Sequence, residues 1–325
     1  MVMASRREFL SSTAVVATGL ALAPLSACSG EAPSAAAVPL AAERAETPFS
    51  GALIKRKIPA TGERVPVIGL GTSGNFEIGE NAAAREPLRE VLKRFVDAGA
   101  RVVDTAPTYS SAEDVLGELV AQAQLRDRLF LATKLSGVNG RAEGLAQFQR
   151  SLQRLRTDRI DLLQVHNLRD TRTQLALARE LKQQGKVRLV GLTHYLESAH
   201  TQLADDMRAL KPDFIQINYS VISRGAERAI LPLAGELGIA VMINRAFEDG
   251  RLFAQVKGKP LPAWASEVGA DSWAQLFLKF VLSQPAVTVV IPATAKPRNQ
   301  TDNLKAGVGA MLDAKQCEAL IAAVG

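Results

Sequence analysis

Eight short apolar runs, at 67–71, 101–105, 129–134, 160–166, 187–193, 214–220, 239–245 and 287–293, alternate along the chain with longer amphipathic stretches. Seven of those stretches are Arg85–Ala98, Ala112–Gln122, Glu143–Arg156, Thr173–Gln184, Ser198–Leu210, Glu227–Leu237 and Trp273–Leu282. Apolar runs of this length read as strands buried on both faces. The longer stretches repeat their apolar residues every three or four positions and mostly end at Gly or before Pro, which reads as helix. Strict alternation of the two implies parallel pairing, because each helix must carry the chain back across the sheet before the next strand begins. Eight such units close naturally into an α/β (βα)8 TIM barrel, and residues 53–325 number 273, near the ~250 usual for that architecture. A doubly wound open sheet is the competitor. The glycines after the first run, Gly69-Leu-Gly-Thr-Ser-Gly74, argue against it, because the next helix begins too far on to set its N-terminus against a phosphate. Ahead of the barrel, Leu53–Ile58, a turn at Ala60–Glu63 and Val65–Ile68 predict a short β-hairpin.

Residues 1–27 read as a separate element. Ser5-Arg6-Arg7-Glu8-Phe9-Leu10, followed by the apolar stretch Ser11–Leu25, has the charged head and short hydrophobic body of an export signal, with paired arginines of the twin-arginine type. Leu25-Ser26-Ala27-Cys28 resembles a bacterial lipobox, which predicts cleavage before Cys28 and acylation of its thiol. Residues 28–52, rich in Ala, Pro, Ser and Glu, then read as a flexible tether. On this reading the membrane is met only through a lipid at Cys28, and the folded body lies on the periplasmic or outer side. Cys317 is the only other cysteine, so no disulfide framework is available. The net charge of +6 is carried by scattered lysines and arginines without interleaved aromatics, which fits a solvated basic surface rather than a nucleic-acid partner.

In a (βα)8 barrel the carboxyl ends of all strands meet on one face, where residues distant in sequence become neighbours. Asp104 and Tyr109 follow the second run, Lys134 ends the third and His166 the fourth; Thr193-His194, Gln216, Asn244-Arg245 and Thr294 close the next four. A strand-end Asp or a turn Tyr alone implies no chemistry. Apolar strands that end in Lys and His are another matter, since such groups must be hydrated or paired. No metal-ligand spacing accompanies them. A phenol has an ordinary pKa near ~10 and needs an adjacent cation before it can trade protons at neutral pH. Lys134 can supply that charge, Asp104 can hold the ammonium, and His166 can hydrogen-bond a carbonyl oxygen that Tyr109 protonates.

This set resembles the Asp-Tyr-Lys-His tetrad of the aldo-keto reductases, with Tyr five residues after Asp and with Lys and His closing successive strands. The resemblance covers residues 53–325. It implies reduction of an aldehyde or ketone, a small-molecule carbonyl substrate, and NADPH as the cofactor, with NADH as the alternative, bound extended across the barrel mouth. Gly71 and Thr72 after the first run are then expected beside the cofactor. Gly191-Leu-Thr-His194 stands where the family commonly has Gly-x-Ser-Asn, so Thr193, His194 and Gln216 are expected at the nicotinamide carboxamide. Asn244, followed by Arg245, stands in place of the family's stacking tyrosine. Ile291–Asn303 resembles the adenosine-phosphate segment, with Thr294 and Asn303 matching. Asn299 stands where NADPH users often carry Arg, and Lys296 and Arg298 are near enough to supply the charge. Fold alone does not separate a reductase from a non-catalytic NADP-binding module or from a lyase or epimerase using the Tyr-Lys pair.

Overall fold

The computed structural model describes residues 48–325. The expected export signal at 1–27, Cys28 and all of the expected tether before residue 48 lie outside the described residues. Within the described end of that tether, Phe49 packs against the hydrophobic core. The hairpin follows as β1 (Lys55–Lys57) and β2 (Arg64–Pro66), paired antiparallel.

Eight parallel strands come next: β3 (Leu70–Gly71), β4 (Val102–Asp104), β5 (Phe130–Leu135), β6 (Ile160–His166), β7 (Val187–Thr193), β8 (Phe214–Asn218), β9 (Ala240–Asn244) and β10 (Val287–Val290). Each pairs with the next, and parallel bridges from Ile68 to Val290 and from Gly71 to Ala293 close the ring. The protein is therefore the (βα)8 barrel with a preceding hairpin that the alternation implies.

The seven expected helices are α1 (Ala82–Asp97), α2 (Ala112–Gln122), α3 (Gly140–Arg154), α4 (Thr171–Gln183), α5 (His200–Leu210), α6 (Ile230–Leu237) and, after a short α7 (Arg251–Gln255), α8 (Trp273–Leu282). Their ends differ from the sequence-based boundaries by at most three residues. Helices α9 (Pro297–Lys305) and α10 (Ala314–Val324) complete the chain. Helix α7 was not legible in the sequence, because five residues are too few to show a helical period.

The period of two along each strand explains both the core and the site. Val102, Phe130, Leu162, Leu189, Phe214 and Ala240 form one cluster inside the barrel, while Val103, Leu131, Leu163, Val190, Ile215 and Val241 belong to the outer cluster against the helices. The hairpin floors the barrel: Ile58 and Val65 are fully buried and join the inner cluster. Two residues further along each strand the same inward parity reaches Asp104, Ala132, Gln164, Gly191, Gln216 and Met242. One more step reaches Lys134, His166, Thr193, Asn218 and Asn244. Apolar layers near the floor thus give way to polar ones at the mouth. Gly191 belongs to this gradient, since a Cβ there would lie 3.0 Å from Gln164 Cγ and 3.1 Å from the Phe214 carbonyl oxygen.

Candidate active site

Asp104 and Lys134 form an ion pair at the centre of the mouth. Lys134 Nζ donates to Asp104 Oδ2 at 2.7 Å and to the Thr105 carbonyl at 2.7 Å, and the two side chains are 0% and 3% exposed. The other carboxylate oxygen, Oδ1, accepts from Gln164 Nε2 and from Gln216 Nε2, each at 3.0 Å. Burial alone would lower the Lys134 pKa, but the charges of Asp104 and Tyr109 and their hydrogen bonds outweigh it, so the pKa rises and the ammonium stays charged.

Tyr109 lies between β4 and α2 in a turn whose Tyr109 N–H donates to Ala106 O and whose Tyr109 carbonyl accepts from Ala112 N–H. Lys134 Nζ is 5.0 Å from the centre of its ring, and His166 meets the ring edge-to-face at 5.9 Å and 82°. The expectation that Lys134 makes the phenol more acidic is met only in part. Burial raises the Tyr109 pKa, Lys134 opposes it through charge and a hydrogen bond, Asp104 adds to the rise, and the net shift is upward. Tyr109 is accordingly held as the protonated phenol, the form a general acid requires.

Burial, then the charge of Lys134, then His194 pull the His166 pKa down to about 3, so its imidazole is neutral near pH 7. Its Nδ1 is 2.6 Å from Ser136 Oγ.

Tyr109 and His166 open onto a cavity of about 690 Å³, which Asp104 also lines. Of the residues expected at the cofactor, Gly71, Thr72, Thr193, Gln216, Asn244 and Arg245 line the same cavity. Gln216 Oε1 accepts from Thr193 Oγ1 at 3.0 Å and from Asn244 Nδ2 at 3.2 Å, which joins three of them into one strip. His194 does not line the cavity: its Nδ1 accepts from Leu196 N–H, and its ring stacks on Tyr195 at 5.6 Å. Thr294, Lys296, Arg298 and Asn303 also stand outside the lining, on the segment from β10 into α9. Thr294 Oγ1 accepts from Lys296 N–H at 3.1 Å, and Asn303 is buried within the helix.

Two observations test whether these residues suit an extended dinucleotide. Asn244 Oδ1 is buried with no hydrogen-bond partner, and the carboxamide NH2 of a nicotinamide is a donor of the kind it lacks. Helix α9 has no side-chain N-cap, which leaves its first N–H groups and positive dipole end for an anion. The set fits.

Several site residues escaped the sequence reading. Gln164 could have been found, because it precedes His166 by two and must share its inward face. Tyr195, Phe247 and Phe253 add aromatic wall to the cavity, and Phe253 and Tyr195 are each 40% exposed. Arg245, with φ +52°, pairs with Asp249 and sits 5.4 Å over the Tyr195 ring. A second cavity of about 530 Å³ lies beside the hairpin at the floor and is lined by none of these residues.

Comparison with known proteins agrees with this geometry. The model of the Aldo/keto reductase family matches residues 67–324. Aldo-keto reductase YhdN of Bacillus subtilis is 30% identical over 210 residues, covering 60% of this chain and 62% of the relative. Methylglyoxal reductase YeaE of Escherichia coli is 28% identical over 240 residues, covering 71% and 81% of the two chains. An aldo/keto reductase from Klebsiella pneumoniae, solved with NADP and acetate, superposes with a TM-score of 0.67 at 29% identity, over 80% of this chain and 91% of that one. With an eight-stranded barrel and a family match that spans all eight barrel strands and runs to the end of the last helix, the chain belongs to the aldo/keto reductase family.

Proposed function

We propose that the protein is an NADPH-dependent carbonyl reductase, turning an aldehyde or ketone into an alcohol, with NADH as the alternative donor. The observation that carries this reading is the buried Lys134–Asp104 pair set beside a protonated Tyr109 and a neutral His166: Asp104, Tyr109 and His166 line one cavity, and Lys134, fully buried, holds its ammonium against Asp104 and 5.0 Å from the Tyr109 ring centre. Aldo-keto reductases of Klebsiella pneumoniae solved in complex with NADP or NADPH, and a relative named as a methylglyoxal reductase, support the cofactor and the substrate class.

When bound, the nicotinamide supplies a hydride to the carbonyl carbon. Everything else falls to the chain. Thr193, Gln216 and Asn244 hold the carboxamide, Gly71, Thr72 and Arg245 border the cofactor, and α9 with Lys296 and Arg298 receives its phosphates, alongside Thr294 and Asn303. His166 hydrogen-bonds the carbonyl oxygen and fixes it next to Tyr109. The Tyr109 phenol gives its proton to that oxygen, so one hydride and one proton convert C=O to CH–OH. Lys134 stabilises the phenolate left behind, and Asp104, held by Gln164 and Gln216, keeps the ammonium in place.

The test is loss of NADPH absorbance over a panel of aldehydes and ketones. Turnover on at least one, carried by the purified wild type, is expected; tight NADPH binding with no turnover on any would replace the reductase by a binding module. We further propose export by the twin-arginine route with anchoring at an acylated Cys28, which rests on Arg6-Arg7 and Leu25–Cys28. Fractionation of cells making wild type, Cys28→Ala and Arg6→Lys/Arg7→Lys protein tests it, and wild type found at full precursor length in the cytosol would refute it.

A further inference from the structure

A neutral imidazole has a single N–H, and which ring nitrogen carries it decides what His166 can offer a carbonyl oxygen. That nitrogen is settled by the partner of the other one. His166 Nδ1 lies 2.6 Å from Ser136 Oγ, the only hydrogen-bond partner of that hydroxyl among the described residues. Ser136 is 3% exposed and firmly placed. Its N–H donates to Gln147 Oε1 at 2.7 Å, and its carbonyl accepts from Gln147 Nε2 at 2.8 Å. Helix α3 thus grips the backbone on both sides of the hydroxyl. The charged and titratable groups facing the ring are Lys134, Tyr109 and His194; among the described residues the hydrogen-bond partner of Nδ1 is the serine hydroxyl and none of these three.

Two arrangements satisfy the short contact. If Nδ1 carried the proton, the ring would spend its one N–H on Ser136, and Nε2 would turn a bare lone pair towards the lone pairs of the substrate oxygen. If Ser136 donates, Nε2 keeps the proton and becomes the donor the reaction needs.

We propose that Ser136 is a positioning residue for catalysis: its hydroxyl donates to His166 Nδ1 and thereby fixes the Nε2–H tautomer that hydrogen-bonds the carbonyl oxygen. The proposal rests on the carbonyl-reductase reading and adds a residue to it. The relay runs from Gln147 through Ser136 to His166, and the chemistry takes place only at its end. A hydroxyl donating to Nδ1 also resists protonation there, so it acts in the same direction as burial.

The experiment is 15N nuclear magnetic resonance of protein labelled at histidine. The chain has only three histidines, His166, His194 and His200, so each can be followed separately. Wild type near pH 7 should show His166 with Nδ1 unprotonated and Nε2 protonated. Ser136→Ala should populate both tautomers and move the titration of His166 up towards the ordinary value, while Ser136→Thr, which keeps the hydroxyl, should restore the wild-type signals. In turnover, Ser136→Ala should lower kcat by between about 10-fold and 10³-fold with a smaller change in KM, as expected when a donor to the developing oxyanion is misdirected. An Nδ1–H tautomer in wild type, or an unchanged His166 spectrum in Ser136→Ala, would overturn the proposal. The spectra are read without substrate, so a protein inert towards every carbonyl yet holding the Nε2–H form would overturn the reductase reading and leave the role of Ser136 on the ring intact.

Discussion

Replacing Lys134 by Met removes the ammonium from a pair that is 0% and 3% exposed and keeps most of the side chain's hydrocarbon volume. The carboxylate of Asp104 then stays behind at 3% exposure, with the amides of Gln164 and Gln216 as its remaining side-chain donors. Removing one partner of a buried pair costs about 3–5 kcal/mol, because the other charge is left uncompensated. The two amides, both on Oδ1, place the expected loss near the lower end, about 3 kcal/mol. Changing Asp104 to Asn as well removes that stranded charge, while the Asn carbonyl oxygen can still accept from both amides. The double variant Asp104→Asn/Lys134→Met should then recover to within about 1 kcal/mol of wild type, as buried pairs replaced by neutral groups often do. Both proteins should remain inactive, since the cation beside Tyr109 is gone from each. Urea unfolding of wild type, the two single variants and the double variant gives the coupling directly. A loss below about 1 kcal/mol for Lys134→Met, or single-variant losses that simply add in the double, would refute the reasoning that an unpaired buried carboxylate dominates. The raised Lys134 pKa also sets a sign: its contribution to stability is complete below the unfolded lysine value and is lost only as pH rises through the folded one, so the neutral range is unaffected.

Tyr109→Phe should lower turnover by about 10²–10⁴-fold while NADPH affinity, read by fluorescence titration, stays near wild type. Because the Tyr109 pKa is raised, wild-type carbonyl reduction should not fall between pH 7 and the ordinary tyrosine value for want of the phenol proton, and a pH profile checks this. His166 has a folded pKa depressed to about 3, so the stability it contributes is present above its ordinary value of 6.5 and is lost as pH falls from there towards 3. Urea midpoints of His166→Gln should therefore fall less steeply over that range than those of wild type. Gly117→Ala would place a Cβ 2.1 Å from the Arg154 carbonyl oxygen where α2 packs on α3, so it should destabilise the protein by at least about 1–3 kcal/mol in the same urea assay.

Much of this protein was legible before any coordinates. Unbroken apolar runs and the 3.6-residue period are local consequences of side-chain burial, so the eight strands and seven of the helices could be read from the order of residues. The barrel closure followed because parallel strands joined by helices have few other ways to bury both faces. Asp104, Tyr109, Lys134 and His166 were legible for a related reason: charged groups at the ends of apolar strands need partners, and the barrel brings those ends together. The rest depended on distances between elements. Gln164 and Gln216 hold Asp104 because inward parity on β6 and β8 carries both amides to one oxygen, and the pairing register that does this is a property of the closed sheet. Whether the Tyr109 proton is loosened by Lys134 or held by burial depended on a balance of opposing effects whose sizes vary with depth and distance. His194 and Thr193 are adjacent in sequence, yet only Thr193 lines the cavity, since consecutive residues at a strand end face different ways. The hydroxyl of Ser136 meets His166 Nδ1 only because Gln147, eleven residues along on α3, grips the serine backbone from both sides. Strand spacing in a sequence determines which residues reach the mouth of a barrel; the packing of helix, sheet and loop decides which of their atoms face one another, and reaction chemistry depends on those atoms.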